Sequence, residues 1–285
     1  MQDESSPSRA VVVGIDGSRQ AVDAALWAVD EAVSRDIPLR LVYAIDPAST
    51  GADTQDAARE LATAEVAVRQ AFTAVESTDK PVKIEVEILQ DQPTRALRRA
   101  SRRAAMVCVG SMGFTSTAVG STASALAASA HCPVAVVANH DPHCGGQQWV
   151  VAEVDDSEAS DGVLRRALEE AQLRRAPLRV LTTWQSRFTD VRDGDAVVKN
   201  SRLARAQLDR RLAHWRKRYP KLDVRTTAVH GNTLGYLAKN ANSIQLLVVG
   251  RERPHGVSAL LSPPGHAALN EAQCSVLICE RQHVL

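Results

Sequence analysis

Apolar and polar positions along this chain switch between two periods, and the switching runs through one cycle twice. Residues 11–16 form an apolar run short enough for a buried strand. Residues 20–35 then set Ala21, Ala24, Ala25, Ala28 and Ala32 beside Val22, Leu26 and Val29 at helical spacing. Ser18 is placed to cap that helix, its hydroxyl accepting from a first-turn N–H. The pattern continues with a strand over 39–45, a long Ala-, Glu- and Arg-rich helix over 55–77, and a strand over 82–88. The period-two alternation of Val82 to Ile88 marks a strand with one polar face near a sheet edge. A short basic helix over 93–103 opens on Pro93. A strand over 106–110, a small-residue helix over 120–130 and a strand over 133–137 complete the cycle.

The second cycle predicts strands over 149–155, 178–183, 222–229, 245–250 and 275–279. Helices over 158–175, 197–218, 232–240 and about 264–272 lie between them. An offset of 139 positions carries Asp16 onto Asp155, Ser18 onto Ser157, Glu31 onto Glu170, Arg35 onto Arg174 and Pro38-Leu39-Arg40 onto Pro177-Leu178-Arg179. One register held across a strand, a helix and a further strand is a tandem duplication. Alternating βα units build mostly parallel sheets covered by helices on both faces, so the expected class is α/β with two tandem five-stranded sandwiches. We expect domains over 9–138 and 148–281, joined by the turn-rich Asn139-His140-Asp141-Pro142-His143-Cys144-Gly145-Gly146. His140, His143 and Cys144 have ligand chemistry, but without a second ligand cluster an exposed hinge is the simpler account than zinc.

Composition narrows the function. Thirty-four Lys and Arg against 33 Asp and Glu leave no electrostatic footprint for nucleic acid or an anionic membrane. The acidic, polar start Met1-Gln2-Asp3-Glu4 reads as neither signal nor transit sequence, and no apolar run approaches a membrane span, so a cytoplasmic location is expected. Of five cysteines, Cys108, Cys132, Cys274 and Cys279 sit in or beside strand-like runs and read as reduced core residues. Trp27, Trp149, Trp184 and Trp215 read as core or interface packing, His131 as a structural residue at a helix end, and Arg95, Arg98, Arg99, Arg102 and Arg103 as a solvated helix face.

In an open parallel sheet, ligands bind beyond the carboxyl ends of the strands, where strand order reverses. Asp16, Ala44 and the loop from Gly110 to Gly120 all fall at such ends. Gly110 and Gly113 would let a flat or anionic ligand approach the backbone. Gly120-Ser121-Thr122 offers free N–H groups and hydroxyls at a helix start, which favours phosphate. The same residues also suit a tight βα turn with ordinary caps, and spacing alone leaves both readings open. The second copy lacks this loop: Arg253 stands where the second glycine is expected, and Ser262-Pro263 replaces Gly-Ser. Pro263 has no N–H to offer, so no nucleotide is expected there. Arg251, Arg253 and His255 could meet another anion, though a solvated loop is the simpler account.

The opening Val13-Gly14-Ile15-Asp16-Gly17-Ser18, the turn Gly110-Ser111-Met112-Gly113, then Gly120-Ser121 and Ala130-His131-Cys132-Pro133-Val134 resemble the universal stress protein family. Its nucleotide-binding members carry a G-x2-G-x9-G-(S/T) loop. The resemblance implies an adenine nucleotide alpha hydrolase-like, Rossmann-like fold, and a stress-response protein that binds ATP, or ADP or AMP in its place, with Mg2+ as counter-ion. It implies that Asp16 and the Ala44 strand backbone help hold adenosine, while Gly110, Gly113, Gly120 and Ser121 meet ribose and phosphates; the expected nucleotide site also takes in their neighbours Gly14, Ile15 and Thr122. One departure bears on this site: six residues, not nine, separate Gly113 from Gly120. The loss removes roughly 10 Å of contour. The remaining loop contains no Lys or Arg, so neutralisation would fall to Mg2+ and the helix terminus.

No Walker A or G-x-G-x-x-G motif and no positioned general base stands in the chain, so the expectation is a regulatory, non-enzymatic protein, with weak ATP hydrolysis left open. The alternative is a nucleotide-free interaction module. In either case the two domains would form an intramolecular copy of a family dimer through the strands near Val134 and Val276, with a homodimer and an unidentified protein partner left open.

Overall fold

The architecture is that of a computed structural model describing residues 9–48, 54–112, 121–138, 148–184, 194–241, 243–253 and 256–280. The chain folds as two compact units, Met1–His140 and Asp141–Leu285.

In the first unit β1 (Val11–Ile15), α1 (Arg19–Arg35), β2 (Leu39–Ile45), α2 (Thr54–Glu76), β3 (Ile84–Gln90), α3 (Pro93–Ala100), β4 (Met106–Gly110), α4 (Ser121–Ser129) and β5 (Val134–Val137) follow in order. The strands lie β3-β2-β1-β4-β5, all neighbours parallel, with Val11 opposite Leu39 on one side and Met106 on the other. Strand order therefore reverses between β1 and β4. That places Asp16, Ala44 and Gly110 on one rim of the sheet. Buried on both faces, β1 and β4 are continuous apolar runs, whereas β3, with no partner on its outer side within this unit, keeps Val86 49% exposed.

The second unit runs β6 (Trp149–Glu153), α5 (Ser160–Leu173), β7 (Leu178–Trp184), α6 (Gly194–Arg218), β8 (Val224–His230), α7 (Thr233–Lys239), β9 (Ile244–Gly250), α8 (Ser258–Leu261), α9 (Pro263–Glu271) and β10 (Ser275–Cys279). Its order, β8-β7-β6-β9-β10, repeats that of the first unit, again parallel throughout. Each fully buried Leu in these cores, among them Leu39, Leu41, Leu164, Leu178 and Leu246, contributes roughly 1.5–3 kcal/mol of transfer free energy.

Several boundaries differ from the periodicity reading. The basic helix ends at Ala100 rather than 103, because Ser101 turns its hydroxyl back to the Arg98 carbonyl at 2.7 Å and accepts the His131 N–H at 2.9 Å. The helix expected from 158 starts at Ser160, and the short α8 was not expected at all. Trp27, Trp149, Trp184 and Trp215, read as core or interface packing, are all half-buried: Arg179 lies 4.3 Å over the Trp149 ring, and Trp184 donates to Ser201 Oγ at 3.1 Å. Cys108, Cys132, Cys274 and Cys279 are buried thiols outside any disulfide, and burial pushes the Cys279 thiol up to about 12. Cys144 and the hinge histidines lie outside the described residues.

Candidate functional site

The rim of the first sheet is shaped at Gly17. Its φ of 81° is a left-handed conformation open to glycine at little steric cost, and it turns the chain from β1 into α1. Ser18 then caps the helix as expected, its Oγ accepting the Ala21 N–H at 3.1 Å. Asp16 Oδ1 accepts from both the Ser18 N–H (2.9 Å) and the Ser18 hydroxyl (2.5 Å). The carboxylate is thus held at the mouth of the crevice with one oxygen engaged by its own turn.

A cavity of about 500 Å3 opens at this rim. Of the nine residues singled out in the sequence, Gly14, Ile15, Asp16, Ala44, Gly110, Ser121 and Thr122 all line it. The other two, Gly113 and Gly120, lie outside the described residues. Val42, Leu97, Val109 and Met112 add apolar wall, so the chamber combines apolar side chains with the polar groups of Asp16, Ser121 and Thr122. Asp46 and Glu60 also face it, and no Lys, Arg or His is among its described lining residues.

Gly110 lines the cavity and also has a packing reason to be glycine, since a Cβ there would stand 2.7 Å from Gln20 Cβ and 2.9 Å from the Gln20 carbonyl carbon. The first turn of α1 alone therefore requires glycine at 110. Tyr43, Asp46 and Glu60 were not anticipated. Tyr43 is half-buried, and burial, then the charges of Glu60 and Asp16, raise its phenol above the ordinary value, so it stays a proton donor. The available signal was its position beside Ala44 at the carboxyl end of β2.

The matching rim of the second unit is closed. Glu153 occupies the strand position that Gly14 holds in the first copy, and Arg253 the loop position of Gly113. Arg253 donates to Glu153 through Nε (2.8 Å) and Nη2 (2.9 Å), and to the Gly256 carbonyl at 3.2 Å. The two side chains are 7% and 5% exposed, and the crevice that remains measures about 170 Å3. Arg253 is thus bound internally, which removes it from the anion-binding alternative; His255 lies outside the described residues.

Asp155 keeps the bonds that Asp16 makes and adds one. Asp156 replaces Gly17, and Ser157 no longer caps a helix; Asp155 Oδ1 accepts the Ser157 N–H (3.0 Å) and hydroxyl (2.5 Å), as Asp16 does from Ser18, and also the Ser160 hydroxyl (2.6 Å). Burial opposes ionisation of Asp155, but these bonds and the nearby Arg211 outweigh it and hold the carboxyl below its ordinary value. Arg211 donates to the Asp155 and Ser157 carbonyls at 2.6 and 2.9 Å, fixing the loop across the crevice.

Residues 7–138 and 149–280 each match the model of the universal stress protein family. The chain belongs to that family. Among its relatives, Universal stress protein Rv2028c of Mycobacterium tuberculosis is 50% identical over 279 residues, covering 96% of this chain and 97% of that protein. Universal stress protein Rv3134c of the same organism is 46% identical, covering 90% and 94%. A crystal structure of a universal stress protein from Archaeoglobus fulgidus superposes with a TM-score of 0.70 at 17% identity, over 95% of this chain and 96% of that one, and so shares the fold. The protein is thus a universal stress protein of tandem type. None of its described helices is long and apolar enough to cross a membrane.

Proposed function

We propose that this universal stress protein binds an adenine nucleotide in its first domain only, and that occupancy, rather than catalysis, is its output, read by a protein partner. The observation that carries this reading is the convergence of Gly14, Ile15, Asp16, Ala44, Gly110, Ser121 and Thr122 on one cavity of about 500 Å3 at the strand-order reversal. Asp16, the Ala44 backbone and Tyr43 suit the hydrogen-bonding edge of a nucleoside. Ser121 and Thr122, in the first turn of α4, suit phosphate through free N–H groups and hydroxyls.

The acidic lining sets a condition. With Asp16, Asp46 and Glu60 facing the cavity and no cation in its described wall, a triphosphate needs Mg2+ to offset its charge. ATP should then bind more weakly without Mg2+, while AMP, with less charge, should depend on it less. The same lack of cations favours the second reading, a nucleotide-free interaction module of identical fold.

Equilibrium dialysis of ATP, with and without Mg2+, against the protein and its Gly120→Asp variant separates the two. Binding by the parent that the variant loses while keeping its fold supports the proposal; equal binding by both, or none by either, refutes it.

A further inference from the structure

A second, larger cavity, about 640 Å3, lies in the second unit at the amino-terminal ends of β7 and β8, the opposite end of that sheet from the Arg253–Glu153 pair. It opens between the turn joining α5 to β7 and the turn joining α6 to β8. Ala176, Pro177 and Tyr219 give it an apolar and aromatic surface, and three exposed cations, Arg175, Arg218 and Lys221, stand around it. No ion pair to a described residue engages these three. The carboxylate in the lining, Asp223, is paired with Arg225 at 3.1 Å.

The duplication supplies a control for what the fold itself needs here. At the position of Arg175 the first copy has Asp36, and where the second copy turns into β8 through Tyr219, Pro220 and Lys221, the first turns into β3 through Asp79, Lys80 and Pro81. The first copy therefore builds the same corner without this cluster. Arg175 also sits at a φ of 50°, matching 51° at Asp36. Asp tolerates the left-handed region better than a long side chain does, so local backbone preference does not account for an Arg at 175. Ala176 replaces Ile37, and the smaller side chain leaves room beside Pro177. Cations at helix ends complement the macrodipole, but the first copy ends α1 on Asp36 and folds nonetheless.

We propose that this basic cavity is a binding site for a small aromatic polyanion, a flat apolar frame bearing two or more acidic groups. The frame would lie along Tyr219 and Pro177, and the acidic groups would meet Arg175, Arg218 and Lys221. The site is separate from the nucleotide cavity and independent of the reading given for it.

Fluorescence titration with 8-hydroxypyrene-1,3,6-trisulfonate tests it on the full-length protein. The parent should bind the probe saturably. Arg175→Asp, which installs the first copy's residue, and Lys221→Gln, on the facing turn, should each weaken binding about tenfold, the scale of one lost charge-assisted contact. Melting temperature is read in parallel, and neither change should lower it as a merely structural cation would. No saturable binding by the parent overturns the proposal, as does parental affinity in either variant.

Discussion

Arg253 and Glu153 form a two-pronged ion pair, 2.8 and 2.9 Å, in the place where the first copy leaves a cavity beside Gly14. One replacement without the other would strand a charge in a nearly dry crevice. The pair therefore behaves as a unit, and its energetics show it. Glu153→Leu or Arg253→Met alone should each destabilise the second domain by about 3–5 kcal/mol. The apolar double exchange Glu153→Leu with Arg253→Met should cost far less. A double-mutant cycle in urea, followed at the second domain's transition, measures the difference; equal and additive losses would mean that the pair is not coupled.

The glycines that end β4 and β9 are equivalent in sequence but not in constraint. A Cβ at Gly110 would press on the backbone of Gln20 at 2.9 Å, which cannot give way without moving α1. At Gly250 the contact is with Val163 Cγ2 at 3.3 Å, a side chain with some freedom. Gly110→Ala should therefore cost roughly 1–3 kcal/mol with no nucleotide present, and Gly250→Ala less. Thermal melts of the two variants without ligand check the order.

Asp155 makes part of the stability of the second domain dependent on acidity. Its folded-state pKa lies below the ordinary 3.8, so the native state holds its proton less tightly than the unfolded chain. The contribution is complete above that value and is lost as pH falls from it through the lower folded-state pKa. Asp155→Asn should lower stability at neutral pH, and the difference between variant and parent should narrow in this acidic window. A constant difference down to low pH would show that the carboxylate charge is not what the Ser157, Ser160 and Arg211 contacts stabilise.

The closed crevice can be transplanted. Gly14→Glu together with Gly113→Arg recreates in the first domain the residue pair found at 153 and 253. The double variant should fold, the end of the Leu97 side chain giving way to the new Cβ at 14, and lose ATP binding by at least about tenfold, because the carboxylate would enter the cavity that Gly14 and Leu97 line. Dialysis against ATP with Mg2+ reads the result, with circular dichroism as the check on folding.

Much of this was legible from periodicity. The duplication, the βα alternation and the edge position of β3 followed from apolar runs and one constant offset, because buried parallel strands and Ala-faced helices leave strong local signatures. What the sequence hid lies in tertiary contact. The packing reason for glycine at 110 was hidden because its neighbour Gln20 is far away in the chain, and only the packing of α1 against β4 shows the clash. The Arg253–Glu153 pair spans 100 positions, and Glu153 ends an otherwise apolar strand, so its partner could not be named from pattern. Tyr43 was overlooked because an aromatic in a strand ordinarily reads as packing, and its nearness to Asp16 and Glu60 is set by the rim geometry. The Arg175 cavity leaves no local signature, because exposed cations after helices are common and the turns at 175 and 219–221 are far apart in the chain.

Calorimetric titration of the nucleotide-stripped protein with ATP and Mg2+ counts the nucleotide sites in this chain with two copies of the fold. One site per chain is expected, with a dissociation constant around micromolar, about −8 kcal/mol. Two equivalent sites would show that the Arg253–Glu153 pair does not close the second crevice. An absence of heat at several temperatures, with a melting point unmoved by excess ATP, would show that the first cavity takes no nucleotide.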